Sequence, residues 1–189
     1  MKAVNPLKFV AAGALALACA SVQANESPKF YAGVGYSHGT LDTYAEFELP
    51  MTMFHLGVAL SPNLKIEARY GINAGDYVHD TSDAIAHYSE TYEVASYFAG
   101  LAKAIIPVNE KISVYGMAGY NKLTLDYSGE AYIYSLAQYI NVYEEYSDSG
   151  LTYGAGIELN VGESLSLTGE YQVMFEDVSG INVGLSYRF

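Results

Sequence analysis

The chain has no Trp, one Cys, and only nine Lys and Arg against 21 Asp and Glu. A single thiol closes no internal disulfide and makes no thiolate metal centre. Such an acidic balance repels polyphosphate, so no nucleic-acid partner is expected. Apolar runs are short: none approaches the roughly 20 residues that a membrane-crossing helix needs. Sustained helical periodicity is equally scarce, which excludes a helical bundle.

The one notable apolar stretch runs from Phe9 to Cys19, with Lys2 and Lys8 before it and small residues after it up to Val22-Gln23-Ala24. Charged head, apolar middle and small residues in that order read as an export signal, cleaved after Ala24. A rival reading keeps Cys19, at the end of Leu17-Ala18-Cys19, as an acylated N-terminus, although Ala16 stands where such boxes usually carry Leu. Residues 1–24 are therefore expected to be a removed signal and residues 25–189 a single domain. Removal takes two of the nine cations and none of the 21 acids, and it takes the only thiol.

What the mature segment has in abundance is alternation, together with 18 Gly and 19 Tyr. Eight segments alternate apolar with small or polar residues over about nine to eleven positions, the span of a tilted membrane strand. In the last, Ile181, Val183, Leu185, Tyr187 and Phe189 share one face, and Asn182, Gly184, Ser186 and Arg188 the other. Leu151 to Val161, Leu165 to Phe175 and Leu64 to Ile72 repeat the pattern. Phe30 to Ser37 and Met53 to Leu60 follow it more loosely. Glu93 to Ala104 and Ile112 to Asp126 also read as strands, but their faces cannot be assigned from the pattern.

Connections alternate in length. Ser61-Pro62-Asn63, Pro107 to Lys111 and Gly162-Glu163-Ser164 are tight, whereas 37–50, 73–91 and 127–149 are long and 176–180 is a brief fourth. Tight turns at one rim and long loops at the other are the arrangement of an eight-stranded antiparallel up-and-down transmembrane β-barrel. A soluble eight-stranded lipocalin has the same periodicity with its apolar face turned inward. Loop rhythm, the aromatic terminus and the charges at Lys65, Glu67 and Arg69 on one strand face favour the membrane. The missing Trp also counts against the lipocalin.

Eight strands enclose a lumen that side chains fill, so no open pore is expected. The inward face carries Lys65, Glu67, Arg69, Glu158, Glu170 and Arg188, three charges of each sign, among Gly, Ser, Thr and Asn. Balance inside an acidic chain points to a salt-bridge network, with a polar gate for ions as the functional alternative. Tyr31, Tyr36, Tyr70, Tyr92, Tyr97, Tyr120, Tyr171 and Tyr187 are placed at strand ends, as an interfacial girdle would be.

The segments Gly150 to Leu159, Leu165 to Tyr171 and Gly184-Leu185-Ser186-Tyr187-Arg188-Phe189, with Tyr115-Gly116-x-Ala118-Gly119, resemble the OmpA-like and opacity-type small outer-membrane barrels. The resemblance implies residence in a bacterial outer membrane, in contact with its lipid and lipopolysaccharide. It also implies a C-terminal signal, on Ile181, Val183, Leu185, Tyr187 and Phe189, for the barrel-assembly machinery. With nothing after Phe189, no periplasmic cell-wall-binding domain is expected. The family includes adhesins, serum-resistance proteins, structural anchors and members of unknown role, and some small outer-membrane barrels are lipid A-modifying enzymes.

No enzyme is expected. Ser37 and His38 are placed at the top of the first strand and His55 on the inner face of the second, without spacing that would force a triad, and the His-x-Ser pattern of lipid A deacylases is absent. Asp76, His79, Asp80, Asp83 and His87 form a loop that either binds a divalent cation or is simply a solvated acidic surface; no metal or other cofactor is assigned. The third long loop interleaves Tyr127, Tyr132, Tyr134, Tyr139, Tyr143 and Tyr146 with acids. A helix fits Ile133, Leu136, Ile140 and Tyr143, but Tyr, Val and Ile favour a hairpin. Tyr-rich loops make contact surfaces at low entropic cost. The expected function is structural or adhesin-like, with a host, phage or matrix ligand, from a monomer; the alternative is a small-solute or ion channel.

Overall fold

The computed structural model describes residues 29–42, 46–83, 85–135 and 138–189. The expected signal segment, residues 1–24, and the alternative acylation at Cys19 lie outside the described residues. Among the described residues nine strands form: β1 (Lys29–Asp42), β2 (Glu46–Ser61), β3 (Leu64–Asn73), β4 (Tyr77–Ser82), β5 (Ala86–Pro107), β6 (Ile112–Ile133), β7 (Gln138–Asn160), β8 (Leu165–Phe175) and β9 (Val178–Arg188). All neighbours are antiparallel, and pairings of β1 with β9 and of β3 with β5 close the sheet on itself. Closure removes every sheet edge within the ring, the condition that lipid imposes on a backbone that cannot bond to water.

The ring has eight members, because β3 and β4 are two parts of one path along β5. Gly71 pairs with Tyr97 and Tyr77 with Tyr92, a register that slips by one residue across the break. Asn73 makes the break: its Oδ1 accepts the Gly75 N–H at 3.2 Å and its Nδ2 donates to Asp76 Oδ1 at 2.6 Å, a local turn that competes with the ladder.

The tight turns fall where the sequence puts them. At Pro107 to Lys111, Asn109 Oδ1 accepts the N–H groups of both Lys111 and Ile112 at 2.9 Å. The long connections differ from expectation, since most of 37–50, 73–91 and 127–149 is strand. β6 and β7 continue pairing up to Ile133↔Gln138, the hairpin that Tyr, Val and Ile favour. Above the bilayer both faces meet water, so hydrophobic alternation ends although the backbone ladder does not.

Apolar side chains point outward in a band: Leu151 is 77% exposed, Ile157 51%, Leu167 42% and Val183 58%. The lipocalin arrangement, with that face turned inward, is overturned. On β5 and β6 the apolar residues occur on both faces, which is why alternation does not reveal their orientation. Phe98, Ile106, Val114 and Tyr120 face out, while Tyr97, Leu101, Ile105, Tyr115, Met117 and Leu123 are buried.

Candidate functional site

The lumen has two layers. Nearest the tight turns, charged side chains from five strands meet. Arg69 donates through Nε to Glu67 Oε1 at 2.7 Å and through Nη1 to Gln172 Oε1 at 3.0 Å, and its Nη2 lies 2.7 Å from Glu170 Oε2. Lys103 Nζ is 2.9 Å from both Glu67 Oε2 and Glu170 Oε1. Nearer the rim, Lys65 donates to Glu158 Oε1 at 2.8 Å. Arg188 lies 3.5 Å from Glu158 and donates to Asn160 Oδ1 at 3.3 Å, with its side chain 34% exposed. The six charged residues singled out in the sequence therefore meet across the lumen and at its rim in two clusters, Glu67, Arg69 and Glu170 with Lys103, and Lys65, Glu158 and Arg188. With Lys103 the count is four cations to three carboxylates, not three of each.

Sequence reasoning missed Lys103 because the faces of its strand were unassigned; its two-residue spacing from Leu101 and Ile105 was the available signal. It also missed two tyrosines. Tyr31 pairs directly with Gly57 and Tyr115 with Gly156, and each ring lies over its glycine. There the Tyr31 hydroxyl donates to Glu67 at 2.8 Å and the Tyr115 hydroxyl to Glu170 at 2.6 Å. A Cβ at Gly57 would lie 2.2 Å from the Tyr31 ring, so these glycines are required for close approach. Tyr31 and Tyr97 are thus lumen residues, not girdle residues as expected from their positions. Tyr36, Tyr70, Tyr120, Tyr171 and Tyr187 are exposed on the outer surface.

Above the charges lies an apolar plug. Leu49, Met51, Tyr97, Met117 and Met174 are at most 1% exposed, with Met53, Leu101 and Leu123 beside them. The lumen thus holds the expected Ser, Thr and Asn around charges, among them Ser166, Asn182 and Ser186, and in addition an apolar layer that was not expected. The space among the charged side chains is about 30 Å³, lined by Tyr31, His55, Arg69 and Glu170 among others. His55 Nε2 is 2.7 Å from Ser186 Oγ within this layer, away from Ser37 and His38 at the outer end of β1.

Beyond the plug the sheet rises as a four-stranded flap of β4, β5, β6 and β7. Its inner face carries the row Tyr77, Tyr92, Tyr127 and Glu144, each residue paired across the ladder with the next. Phe47 of β2 stacks on this row, 5.4 Å from Tyr77 and 4.6 Å from Tyr92, and Tyr92 is 5.0 Å from Tyr127. Tyr127 donates to Glu90 Oε1 at 3.2 Å, and Tyr146 donates to Glu144. Partial burial, then Glu90, pushes the Tyr127 hydroxyl pKa up. The hydrogen bond from Tyr146 to Glu144 has the same effect on Tyr146.

The six loop tyrosines do not share a face. Tyr127 and Tyr146 lie on the inner face, whereas Tyr132 and Tyr139 stack at 4.7 Å on the outer one with Tyr143. β8 pairs with β7 only from Tyr153 onward, so β7 from Gln138 to Ser149 is exposed along its length and, among the described residues, has no ladder partner on that side. In the second loop, His79 bonds Thr81, His87 bonds Ser82 and Asp83 caps a turn. Among the described residues no three acidic or imidazole ligands gather as a metal would require. At the C-terminus, Ile181, Val183, Leu185, Tyr187 and Phe189 form one exposed file, and the Phe189 N–H bonds Phe30 O at 3.0 Å.

A family model described as the outer membrane protein beta-barrel domain matches residues 10–189. No curated protein matches the sequence. Among solved structures, Neisserial surface protein A is similar at 11% identity and a TM-score of 0.56, covering 87% of this chain and 100% of that one. OprG of Pseudomonas aeruginosa is similar at 10% identity and a TM-score of 0.51, covering 89% and 99%. The Ail protein of Yersinia pestis, in complex with the heparin analogue sucrose octasulfate, is similar at 17% identity and a TM-score of 0.50, covering 86% and 97%.

Proposed function

We propose that this chain, which belongs to the outer membrane protein beta-barrel family, is a plugged membrane anchor that displays its β4–β7 flap to the medium as a contact surface. Family membership gives the bacterial outer membrane as its location and lipid as its surroundings. The adhesin-like role rests chiefly on one observation: the β7 segment Gln138–Ser149 is exposed and, among the described residues, has no ladder partner along one edge.

An unpaired strand edge offers a row of N–H and C=O groups to any extended segment that meets it. At roughly 3.3 Å per residue the edge is about 40 Å long. Tyr139 and Tyr143, 58% and 77% exposed, stand beside it with large amphipathic rings. A soluble protein blunts such an edge; retaining it on a surface ribbon suits contact with another molecule.

The outer segments 39–50, 74–93 and 124–149 contain no Lys or Arg, and hold three, five and five of the 21 acidic residues. A polysulfated ligand of the kind held by the Ail structure would meet like charge here, so the surface suits neutral or cationic partners. The packed layer of Leu49, Met51, Met117 and Met174 disfavours the channel alternative, since buried side chains fill the lumen there.

Cells displaying the full chain are expected to attach to host or matrix surfaces, or adsorb phage, more strongly than cells whose chain has residues 129–142 replaced by a two-residue turn. Equal attachment with equal surface levels of both forms would remove the contact role.

A further inference from the structure

We infer that the inner face of the flap, just above the apolar plug, is a binding site for the guanidinium or ammonium groups of a cationic peptide segment. The inference deepens the contact-surface reading and rests on it, but it uses different residues from the free β7 edge.

Four rings line the site: Phe47, Tyr77, Tyr92 and Tyr127, with neighbouring centroids 4.6–5.4 Å apart. Aromatic faces attract cations through their quadrupole, and a guanidinium also stacks on them. Two carboxylates flank the rings. Glu90 accepts from Tyr127 and Glu144 accepts from Tyr146, leaving the remaining lone pairs of each for an incoming donor. His79, the cross-strand partner of Glu90, is engaged by Thr81.

This juxtaposition is set by the ladder. Tyr77↔Tyr92, Tyr92↔Tyr127 and Tyr127↔Glu144 are direct pairs and so present their side chains on one face. The bulge between Val94 and Ser96 turns that face inward: below it Tyr97, Ala99 and Leu101 line the lumen, and above it Val94, Tyr92 and Glu90 continue the lining. The rings therefore form the floor of a vestibule whose other side is low, because β8 and β9 turn back at Phe175 and Val178.

Charge and size select the occupant. The outer segments 39–50, 74–93 and 124–149 have no Lys or Arg, the hydrogen bonds that Glu90 and Glu144 accept among the described residues come from tyrosines, and the surrounding field draws positive charge. Four strands at about 4.8 Å spacing make a floor roughly 14 Å wide, larger than one ammonium group and suited to a segment several residues long.

The test uses the full mature chain refolded in phosphatidylcholine nanodiscs and a fluorescent octapeptide alternating Arg with Ser, read by anisotropy. A peptide with citrulline in place of Arg has the same shape without charge. The arginine peptide is expected to bind, the citrulline peptide at least tenfold more weakly. The double variant Glu90→Gln with Glu144→Gln is expected to lose about tenfold, and Tyr92→Leu a similar amount while keeping heat-modifiable migration on gels. A control with equal charge loss elsewhere on the flap, Asp80→Asn with Glu130→Gln, is expected to lose less than threefold. Equal losses in the two double variants, or equal binding of the citrulline peptide, would overturn the site. Either result leaves the ribbon reading intact, since attachment tests that one. Conversely, unchanged attachment by the ribbon-shortened chain alongside a tenfold loss in the Glu90 and Glu144 variant would sink the ribbon reading alone.

Discussion

Arg69 on β3 and Glu170 on β8 meet at 2.7 Å although their strands stand four places apart in either direction around the eight-membered ring. The pair spans the lumen and ties opposite walls together. Lys103 bridges the same carboxylate to Glu67, so a single disruption is shared by several strands. Removing one partner of a buried network leaves uncompensated charge.

Arg69→Ala should therefore destabilise the barrel by about 3–5 kcal/mol. Urea-driven unfolding in lipid vesicles, followed by gel migration, measures it. Replacing Arg69 and Glu170 together by Met and Gln should recover a good part of that loss; a double variant no more stable than Arg69→Ala would show that the pair acts independently.

The glycines under the lumen tyrosines give a second expectation. Gly57→Ala displaces the Tyr31 ring and weakens its bond to Glu67, at about 1–3 kcal/mol. Gly119→Ala should cost more, because its Cβ would lie 1.9 Å from the Gly100 carbonyl oxygen, which cannot rotate away. Gly100→Ala meets nothing within 4 Å and should be tolerated. Thermal shifts of the migration transition rank the three.

Conductance tests the plug. The parent chain in planar bilayers should show no steps above background. Serine at Met51, Met117 and Met174 together should produce small ones, by putting polar groups and space where three thioethers now pack. Clear steps from the parent chain would favour the channel.

Asp83 supplies a local pH dependence. Backbone N–H groups of Ala86, at 2.8 Å, and Ile85, at 2.7 Å, hold its carboxylate below the usual range. A lowered folded pKa means that the turn between β4 and β5 keeps this support above the ordinary carboxylate pKa of about 3.9 and loses it as pH falls through the lower folded value. Amide exchange at Ile85 and Ala86 should quicken over that acid range, and Asp83→Ala should abolish the dependence.

The exposed C-terminal file is proposed as the assembly signal that the family resemblance implies. Phe189→Ala should reduce the amount of folded protein in the outer membrane without changing the stability of what does fold, as expected of a recognition signal. Immunoblots of fractionated cells, with and without boiling, separate the two effects.

The sequence by itself determined the barrel class, the tight turns, the lipid-facing residues of β3, β7, β8 and β9, and the six charges first assigned to the lumen. Each of these follows from the two-residue period of a strand between lipid and an enclosed interior, a contrast written into local composition. Only the tertiary structure decided what the period cannot encode. Where β5 and β6 carry apolar residues on both faces, closure of the ring chose which face turned inward, and so brought Lys103, Tyr115 and Met117 into the lumen. Where both faces of the flap meet water, ladder pairing extended the strands past the bilayer and aligned Tyr77, Tyr92, Tyr127 and Glu144 in one row. Cross-lumen contacts such as Arg69 with Glu170 join residues distant in the chain, and local alternation carries no information about which walls face each other.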